Sequence, residues 1–293
     1  MSAGDMESVW AVVVTHNRRQ SLSRCLDAIL MQRRPPDRIM VVDNASTDGT
    51  RAMLAERYQQ VEVLALTVNE GGAGGFHRGL AQAHAGGAEW LWLMDDDTVP
   101  ESGALEELLK AVAGFAAASE PSVFVSTPLW RDGSVHPLNF PTLERRRPER
   151  VIAAATRGLM PVRAATFVSL LIHRRVIDRF GLPPKHYFLW GDDVEYTSRI
   201  VLGGEDAYFV PASVVLHDTE FPHSFTAAEP SRFYYHVRNT LLTARGPDRP
   251  ARDRLIRLWT LLSTSLSYIA RSRTAASVSA VLHGIGDGLR MAP

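Results

Sequence analysis

Along the first hundred positions, short hydrophobic runs alternate with stretches of helical spacing. Residues 9–15, VWAVVVT, are β-rich and nearly uninterrupted in hydrophobicity, which predicts a strand buried on both faces. Leu22, Leu26, Ile29 and Leu30 then recur at helical spacing. Residues 37–44 read as a second strand and 48–58 as a second helix. Residues 61–69 give a third strand, followed by a glycine-rich turn and a helix over 76–87. Residues 88–97 give a fourth strand and 100–116 a further helix. Strands alternating with helices predict an α/β chain: a Rossmann-like, mostly parallel sheet flanked by helices.

Beyond this the pattern loosens. Residues 122–130 read as a strand, and 164–175 resume β character. Residues 130–150 are polar, basic and Pro-containing, and read as a long loop of the kind that carries function. From about 229 to the end the chain is mostly helical and rich in Arg, Leu and Ser. A soft boundary near 225 divides a domain over 1–225 from a helical region over 226–293.

Each of the first four strands ends in polar residues. These are Thr15, His16 and Asn17; Asp43 and Asn44; Asn69, ahead of EGGAGG; and Asp95, Asp96 and Asp97. In a parallel sheet all four sets gather on one edge, beyond the carboxyl ends of the strands, where ligands bind in such folds.

Composition narrows the classes. The 293 residues are 45% hydrophobic and 22% charged, ordinary for a globular protein. Lys plus Arg equals Asp plus Glu at 32 each, so bulk charge gives no pull toward nucleic acid. The single cysteine, Cys25, rules out an internal disulfide and a cysteine metal cluster, and fits a reducing cytoplasm. The N-terminus has no basic segment ahead of an apolar core, so no signal peptide is expected. Residues 258–270 are the longest weakly polar stretch and fall short of the about 20 residues that span a bilayer.

Four features carry chemistry. In a strand, Asp95 and Asp97 point the same way and Asp96 the other. Such a pair can reach one hard cation, Mg²⁺ or Mn²⁺, together with a substrate diphosphate; the competing reading is a solvated turn capping the helix that Pro100 and Glu101 open. Asp192 and Asp193 follow an aromatic run and enter a helix, where a carboxylate on an apolar wall can act as a general base or merely cap the helix. His217 closes a strand-like run, as a metal ligand or as a hydrogen-bonded surface group. NEGGAGGFHRG, residues 69–79, has the look of a phosphate-cradling loop.

Taken in order, VVVTHNRRQSLSRCLDAIL, VVDNASTDGT, NEGGAGGFHRG, WLMDDDTVP and FLWGDDVEYTSR resemble the inverting family 2 glycosyltransferases of GT-A fold, over roughly residues 9–217. NEGGAGGF, WGDDVEY, LHD and the later YYHVRN are most similar to the galactofuranosyltransferases of actinobacterial cell-wall galactan synthesis, above all the initiating type, which acts on a lipid-linked rhamnosyl acceptor. Rhamnosyltransferases share much of this text. The sequence departs from the larger chain-extending polymerases in their extra N-terminal and C-terminal mass, so long processive polymerisation is not expected.

The resemblance implies a nucleotide-sugar donor lying across the strand ends and a polyprenyl-diphosphate-linked glycan acceptor. Asp43 would bind the base or ribose, Thr15, Asn17 and Asn69 would add hydrogen bonds, and Arg18 or Arg78 would reach the nucleotide. Asp95 and Asp97 with His217 would hold Mn²⁺ or Mg²⁺, and Asp96 would face the donor sugar or cap the next helix. Asp193 would be the base and Asp192 its neighbour. Trp190, Tyr187 and Phe188 stand as acceptor contacts or as core, and Arg238 as an acceptor or diphosphate contact or as structure. Leu255, Leu258, Trp259, Leu262 and Leu266 recur at helical spacing among Arg252, Arg254, Arg257, Arg271 and Arg273. That helix could lie on an anionic membrane, at the inner face of the plasma membrane, or pack on the sheet or in a dimer. The resemblance implies UDP-galactofuranose as the donor, with dTDP-rhamnose as the alternative. Among other classes, a nucleotidyltransferase would need a basic glycine-rich N-terminal loop, a dehydrogenase glycines after the first strand, and a non-catalytic nucleotide-sugar-binding module would not need the intact acidic motifs.

Overall fold

The computed structural model describes residues 8–116, 121–219, 225–247 and 249–293. In chain order the first elements are β1 (Val9–Thr15), α1 (Arg19–Leu30), β2 (Arg38–Asp43), α2 (Thr50–Arg57), β3 (Glu62–Ala65), α3 (Gly71–Ala85) and β4 (Trp90–Asp95). β5 (Thr98–Pro100), α4 (Ala104–Ala113), β6 (Val123–Leu129), β7 (Thr142–Leu143), α5 (Pro148–Ala155), β8 (Met160–Ala164) and β9 (Leu170–His173) follow. Last come α6 (Arg175–Phe180), α7 (Asp192–Leu202), β10 (Ala207–His217), α8 (Pro230–Arg245), α9 (Ala251–Ser272) and α10 (Ala275–Arg290).

One sheet runs in the order β3-β2-β1-β4-β9-β6-β10-β8-β7, with β5 paired to β10. β3, β2, β1 and β4 are parallel, with Thr15 beside Asp43 and Val14 beside Asp95. The other half is mixed: β9 runs antiparallel to both β4 and β6, while β10 is parallel to β6. β9 is also shorter than the 164–175 strand read from the sequence, because residues 165–169 break to bond with α7 (Thr197 Oγ1 accepts the Ala165 N–H at 2.9 Å).

The continuous hydrophobicity of β1 follows from cover on both faces. Val9, Ala11 and Val13 pack with α1 and α4 residues such as Leu26 and Leu105. Trp10, Val12 and Val14 pack with Phe76 and Leu80 of α3. Each buried Val, Leu or Phe among them is worth about 1.5–3 kcal/mol.

The glycine-rich stretch is not a loop. It is the first two turns of α3, with one first-turn amide accepted by Asn69 and another, that of Ala73, by Phe188 O. Gly71 has φ +73, and a Cβ there would sit 2.0 Å from Phe188 O; at Gly75 it would sit 2.4 Å from Val14 Cγ1. The glycines therefore serve close packing of α3 against the 185–191 loop and β1, not a phosphate cradle.

Residues 130–150 are largely irregular, apart from β7 and the start of α5, where Pro148 sits at the first helical turn. α8, α9 and α10 form the helical C-terminal region, joined by Phe233, Leu261, Tyr268 and Val281. Residues 1–7, which bear on the reading of the N-terminus, and 220–224, just before the boundary at 225, lie outside the described residues. Among the described residues no helix is long and apolar enough to cross a membrane.

Candidate active site

The site grows from the end of β4. Asp95 closes the strand; Asp96 and Asp97 form a tight turn into β5. β5 pairs antiparallel with the end of β10, setting His217 opposite Thr98, and the Asp218 N–H donates to Asp97 O at 2.8 Å. The turn, rather than strand alternation, thus brings Asp97 back beside Asp95. Ligand atoms of Asp95, Asp97 and His217 all lie within 4.8 Å of one another.

Partners hold this group in place. His217 Nε2 is 3.0 Å from Asp97 Oδ1, and its Nδ1 is 3.0 Å from Asn139 Oδ1, which fixes the ring from behind. Arg18 Nη1 donates to Asp97 Oδ2 at 2.9 Å. Thr15 Oγ1 donates to Asp96 Oδ2 at 2.7 Å, turning Asp96 away from the Asp95–Asp97 pair.

Burial, reinforced by the charge of Asp97, pushes the Asp95 carboxyl up to about 7 and that of Asp96 up to about 8. Asp97 goes the other way: burial opposes its charge, but the hydrogen bond and charge of His217 hold it below the usual carboxylate range. Burial also opposes charge on His217, yet Asp97 and Asp95 hold it above its ordinary value. Two carboxylates and one imidazole, backed by an amide oxygen, suit a hard divalent cation. Such an ion would neutralise a cluster in which burial otherwise favours the protonated form of Asp95.

The second cluster opens α7. Gly191, at φ +88, turns the chain so that Asp192 and Asp193 enter the first helical turn, where the helix dipole favours negative charge. Asp192 is buried, and burial with the Asp193 charge raises its carboxyl well above the usual range. Burial raises Asp193 to about 6, with the Val194 N–H, at 2.7 Å, opposing. Asp193 lines a cavity of about 670 Å³ together with Asp95 and His217.

The loop that presents Asp193 is strained and tied. Phe188 and Trp190 have φ of 61 and 63, unusual for bulky residues. Asn239 on α8 holds it: Nδ2 donates to Tyr187 O, Leu189 O and Trp190 O at 3.0, 2.8 and 2.7 Å. Arg238 donates to His186 O and Tyr187 O, at 2.8 and 2.7 Å, and is buried. Its place is structural, and α8 across the sequence boundary is part of the support for this loop.

The residues singled out in the sequence separate into groups. Asp95, Asp193, His217 and Trp190 line the cavity. Asp96, Asp97, Thr15 and Arg18 are bonded to one another at its candidate cation end. Asp43 sits at the same sheet edge but is fully buried, its carboxylate committed to Arg51 and to the Ser46 N–H at 3.0 Å. Asn17 accepts from the Thr47 N–H at 2.7 Å, and Asn69 Oδ1 accepts the Gly71 N–H at 2.8 Å. Arg78 pairs with Glu70 at 2.9 Å on the α3 surface, engaged away from Asp95 and Asp97. Tyr187 is core: 1% exposed, its hydroxyl 3.0 Å from Thr243 Oγ1, with no ring face left for a sugar. Phe188 stacks on Tyr235 at 5.1 Å. The sequence reading missed Asn139 and Asn239. Asn139 lies in the 130–150 loop, and Asn239 ends the YYHVRN segment; neither residue type separates a supporting amide from a surface one.

Residues 10–171 match the description "Glycosyl transferase family 2". Galactofuranosyltransferase GlfT1 of Mycolicibacterium smegmatis is 35% identical over 201 residues, 68% of this chain and 67% of that one. The N-acetylglucosaminyl-diphospho-decaprenol L-rhamnosyltransferase of Mycobacterium tuberculosis is 26% identical over 256 residues, 79% of this chain and 82% of that one. In structure, S. aureus TarS 1–349 in complex with UDP-GlcNAc superposes with a TM-score of 0.67 at 15% identity, covering 98% of this chain and 82% of that chain. Against a longer TarS chain this chain spans 49% of the length.

Proposed function

The chain belongs to glycosyl transferase family 2, and from that premise we propose that it moves galactofuranose from UDP-galactofuranose to a lipid-linked glycan, with inversion at the anomeric carbon. The enzyme class, a hexosyltransferase of GT-A fold, follows from the family and the relatives. The observation that carries the reaction is the sharing of one cavity by Asp95, His217 and Asp193. In this reading a base and a cation and diphosphate site share one space. The choice of sugar is supported by the 35% identity to a galactofuranosyltransferase.

Asp193 takes the proton from the acceptor hydroxyl as its oxygen attacks the anomeric carbon. The bond from that carbon to the nucleotide diphosphate breaks on the opposite face, and UDP leaves. A divalent cation, Mn²⁺ or Mg²⁺, on Asp95, Asp97 and His217 would supply the positive charge that the leaving diphosphate requires. Arg18, bonded to Asp97, stands beside that group. Trp190 forms part of the acceptor wall.

The outer side of α9 supports work at a lipid surface. Leu255, Trp259 and Leu266 are 67%, 71% and 60% exposed along one stripe, and Leu282 on α10 is 63% exposed. Arg252, Arg271 and Arg273 are exposed on the same segment. Apolar residues flanked by arginine suit an anionic membrane face, where a lipid-linked acceptor would be met.

A donor screen decides the reading: UDP-galactofuranose and dTDP-rhamnose offered side by side with a lipid-linked acceptor and Mn²⁺. Transfer from UDP-galactofuranose supports it. Transfer from dTDP-rhamnose alone would replace it with the rhamnosyl reading, which the wider 79% coverage by the M. tuberculosis relative favours.

A further inference from the structure

The cavity does not stop at Asp193. Beyond it runs an arm lined by Arg147, Arg150, Arg163, Arg249 and Arg257, with Glu144 and Asp253 as the acids on its wall. The charges there do not balance. One carboxylate, Asp253, is shared by three guanidinium groups, at 3.5 Å from Arg163, 3.1 Å from Arg249 and 2.9 Å from Arg257. Arg163 also stands 3.8 Å from Glu144. Arg150 has its own partner in Asp206, outside the wall. Arg147, at the start of α5, makes no ion pair among the described residues. Arg249 is held in the wall by Ser198 Oγ at 2.7 Å, with its side chain only 4% exposed.

Like charges gathered in a partly buried space repel strongly. An anion in the arm would turn that repulsion into attraction. Guanidinium forks match phosphate oxygens in pairs, which a lone carboxylate cannot satisfy for three of them.

Position says which anion. The donor diphosphate belongs at Asp95 and Asp97, and none of these five arginines bonds to either residue among the described contacts. Ser198, which holds Arg249, lies on α7 five residues past Asp193, roughly 7.5 Å along the helix axis. The arm is therefore on the far side of the base from the donor, where an acceptor would extend. Asp253, Ile256, Arg257 and Thr260 of α9 form part of its wall, and the opposite stripe of α9 is the exposed apolar one.

We infer that the arginine arm binds the phosphate or diphosphate that joins the acceptor glycan to its carrier. This rests on the glycosyltransferase reading above. It places the charged linkage between the lipid-facing side of α9 and Asp193, so that the arm measures out the glycan whose hydroxyl meets the base.

The test uses the whole chain saturated with Mn²⁺ and UDP, titrated calorimetrically with geranyl diphosphate, inorganic pyrophosphate and geraniol. Geranyl diphosphate is expected to bind without displacing UDP, and Arg147→Gln and Arg257→Gln are each expected to weaken it about fivefold or more. The Mn²⁺-dependent UDP isotherm, measured first on each variant, reports the fold and the donor site separately. Equal binding of pyrophosphate supports the site and assigns recognition to the diphosphate alone; weaker binding of pyrophosphate supports it and adds the carrier. Binding of geraniol as tight as that of geranyl diphosphate, unchanged affinity in both variants, or displacement of UDP would overturn the inference. Should Mn²⁺-dependent UDP binding fail in the unsubstituted chain, the glycosyltransferase reading falls, while the geranyl diphosphate isotherm still decides the arm.

Discussion

His217 Nε2 lies 3.0 Å from Asp97 Oδ1 although 120 residues separate the two in the chain. The contact exists because β5, three residues long, leaves the Asp turn and pairs with the last residues of β10. Removing either partner unbalances the other. Asp97→Ala leaves His217 facing Asp95 without its closer acid and takes one ligand from the cation site. We expect Mn²⁺-dependent UDP binding to weaken at least tenfold in Asp97→Ala and in His217→Ala. Asn139→Ala, which frees only the back of the ring, should cost about 10–100-fold in metal affinity. Calorimetry with UDP, with and without Mn²⁺, reads both. Wild-type Mn²⁺ dependence in His217→Ala would remove it from the ligand set.

Asp193, on the cavity wall with a raised proton affinity, is the proposed base. Asp193→Asn is expected to lower kcat by about 10²–10⁴-fold while UDP binding stays near normal. Because the carboxyl sits at about 6, it is protonated and idle below that pH. The rate should rise with pH through about 6 and level off above it. The limb should vanish from the residual activity of the variant. Near-normal turnover of Asp193→Asn would be fatal to the assignment.

The same carboxyls make metal-free stability depend on pH. Asp193, Asp95 and Asp96 sit at about 6, 7 and 8 when folded, against about 3.9 in an unfolded chain. Between these values the folded state holds more protons than the unfolded state, so stability falls as pH rises. His217, raised when folded, acts in the same direction: its contribution is lost as pH rises through its raised value. Asp97, lowered when folded, acts in the opposite direction, below the usual carboxylate range. In EDTA, Tm should decline from about pH 5 to about pH 8. Saturating Mn²⁺ and UDP should flatten the decline. A Tm that climbs across this window in EDTA would contradict the protonation pattern.

β1, β2 and β4 were legible because strands covered on both faces read as unbroken apolar runs, and their polar ends named the edge; β3, mostly exposed, stops at Ala65, short of the 61–69 strand read from the sequence. The Asp triplet and Asp193 were legible for the same reason: charge directly after buried strand or aromatic sequence needs a cause. The glycine-rich segment misled. Glycine reads as turn, whereas Gly71 and Gly75 are helical residues chosen for clearance from Phe188 and Val14, a fact of tertiary packing. The direction of β9 was invisible, since the apolar run Leu170, Leu171 and Ile172 looks alike running either way. Tyr187 and Trp190 are equally aromatic, and only the fold separates the buried ring from the one on the cavity wall.

Asn239 spans three backbone carbonyls of a loop whose Phe188 and Trp190 sit at positive φ. Asn239→Ala would leave the half-buried Leu189 and Trp190 carbonyls short of a donor, while Tyr187 O keeps Arg238, and would relax the strain the amide enforces. A stability loss of about 1–3 kcal/mol is expected, with a fall in kcat larger than any change in UDP affinity, because the loop presents Asp193 and not the cation site. Asn239→Asp keeps the shape without the donor and should be no better. Thermal denaturation and steady-state kinetics check the pair; a variant with normal kcat would show that the loop keeps its form unaided.

Whether α9 meets a membrane can be read without any substrate. Trp259 and Leu266 lie seven residues apart on one stripe and are 71% and 60% exposed, so replacing them disturbs little of the core. Co-sedimentation with vesicles containing anionic lipid should pull down the unsubstituted chain, and less of it as salt rises, since the arginines contribute through screened charge. Trp259→Ser together with Leu266→Ser should remove most of the bound fraction at any salt, with Tm unchanged. Neutral vesicles should bind less. If the double variant sediments as before while the unsubstituted chain is a dimer in solution and the variant a monomer, the stripe is an interface between copies, and the acceptor must reach Asp193 without help from this helix.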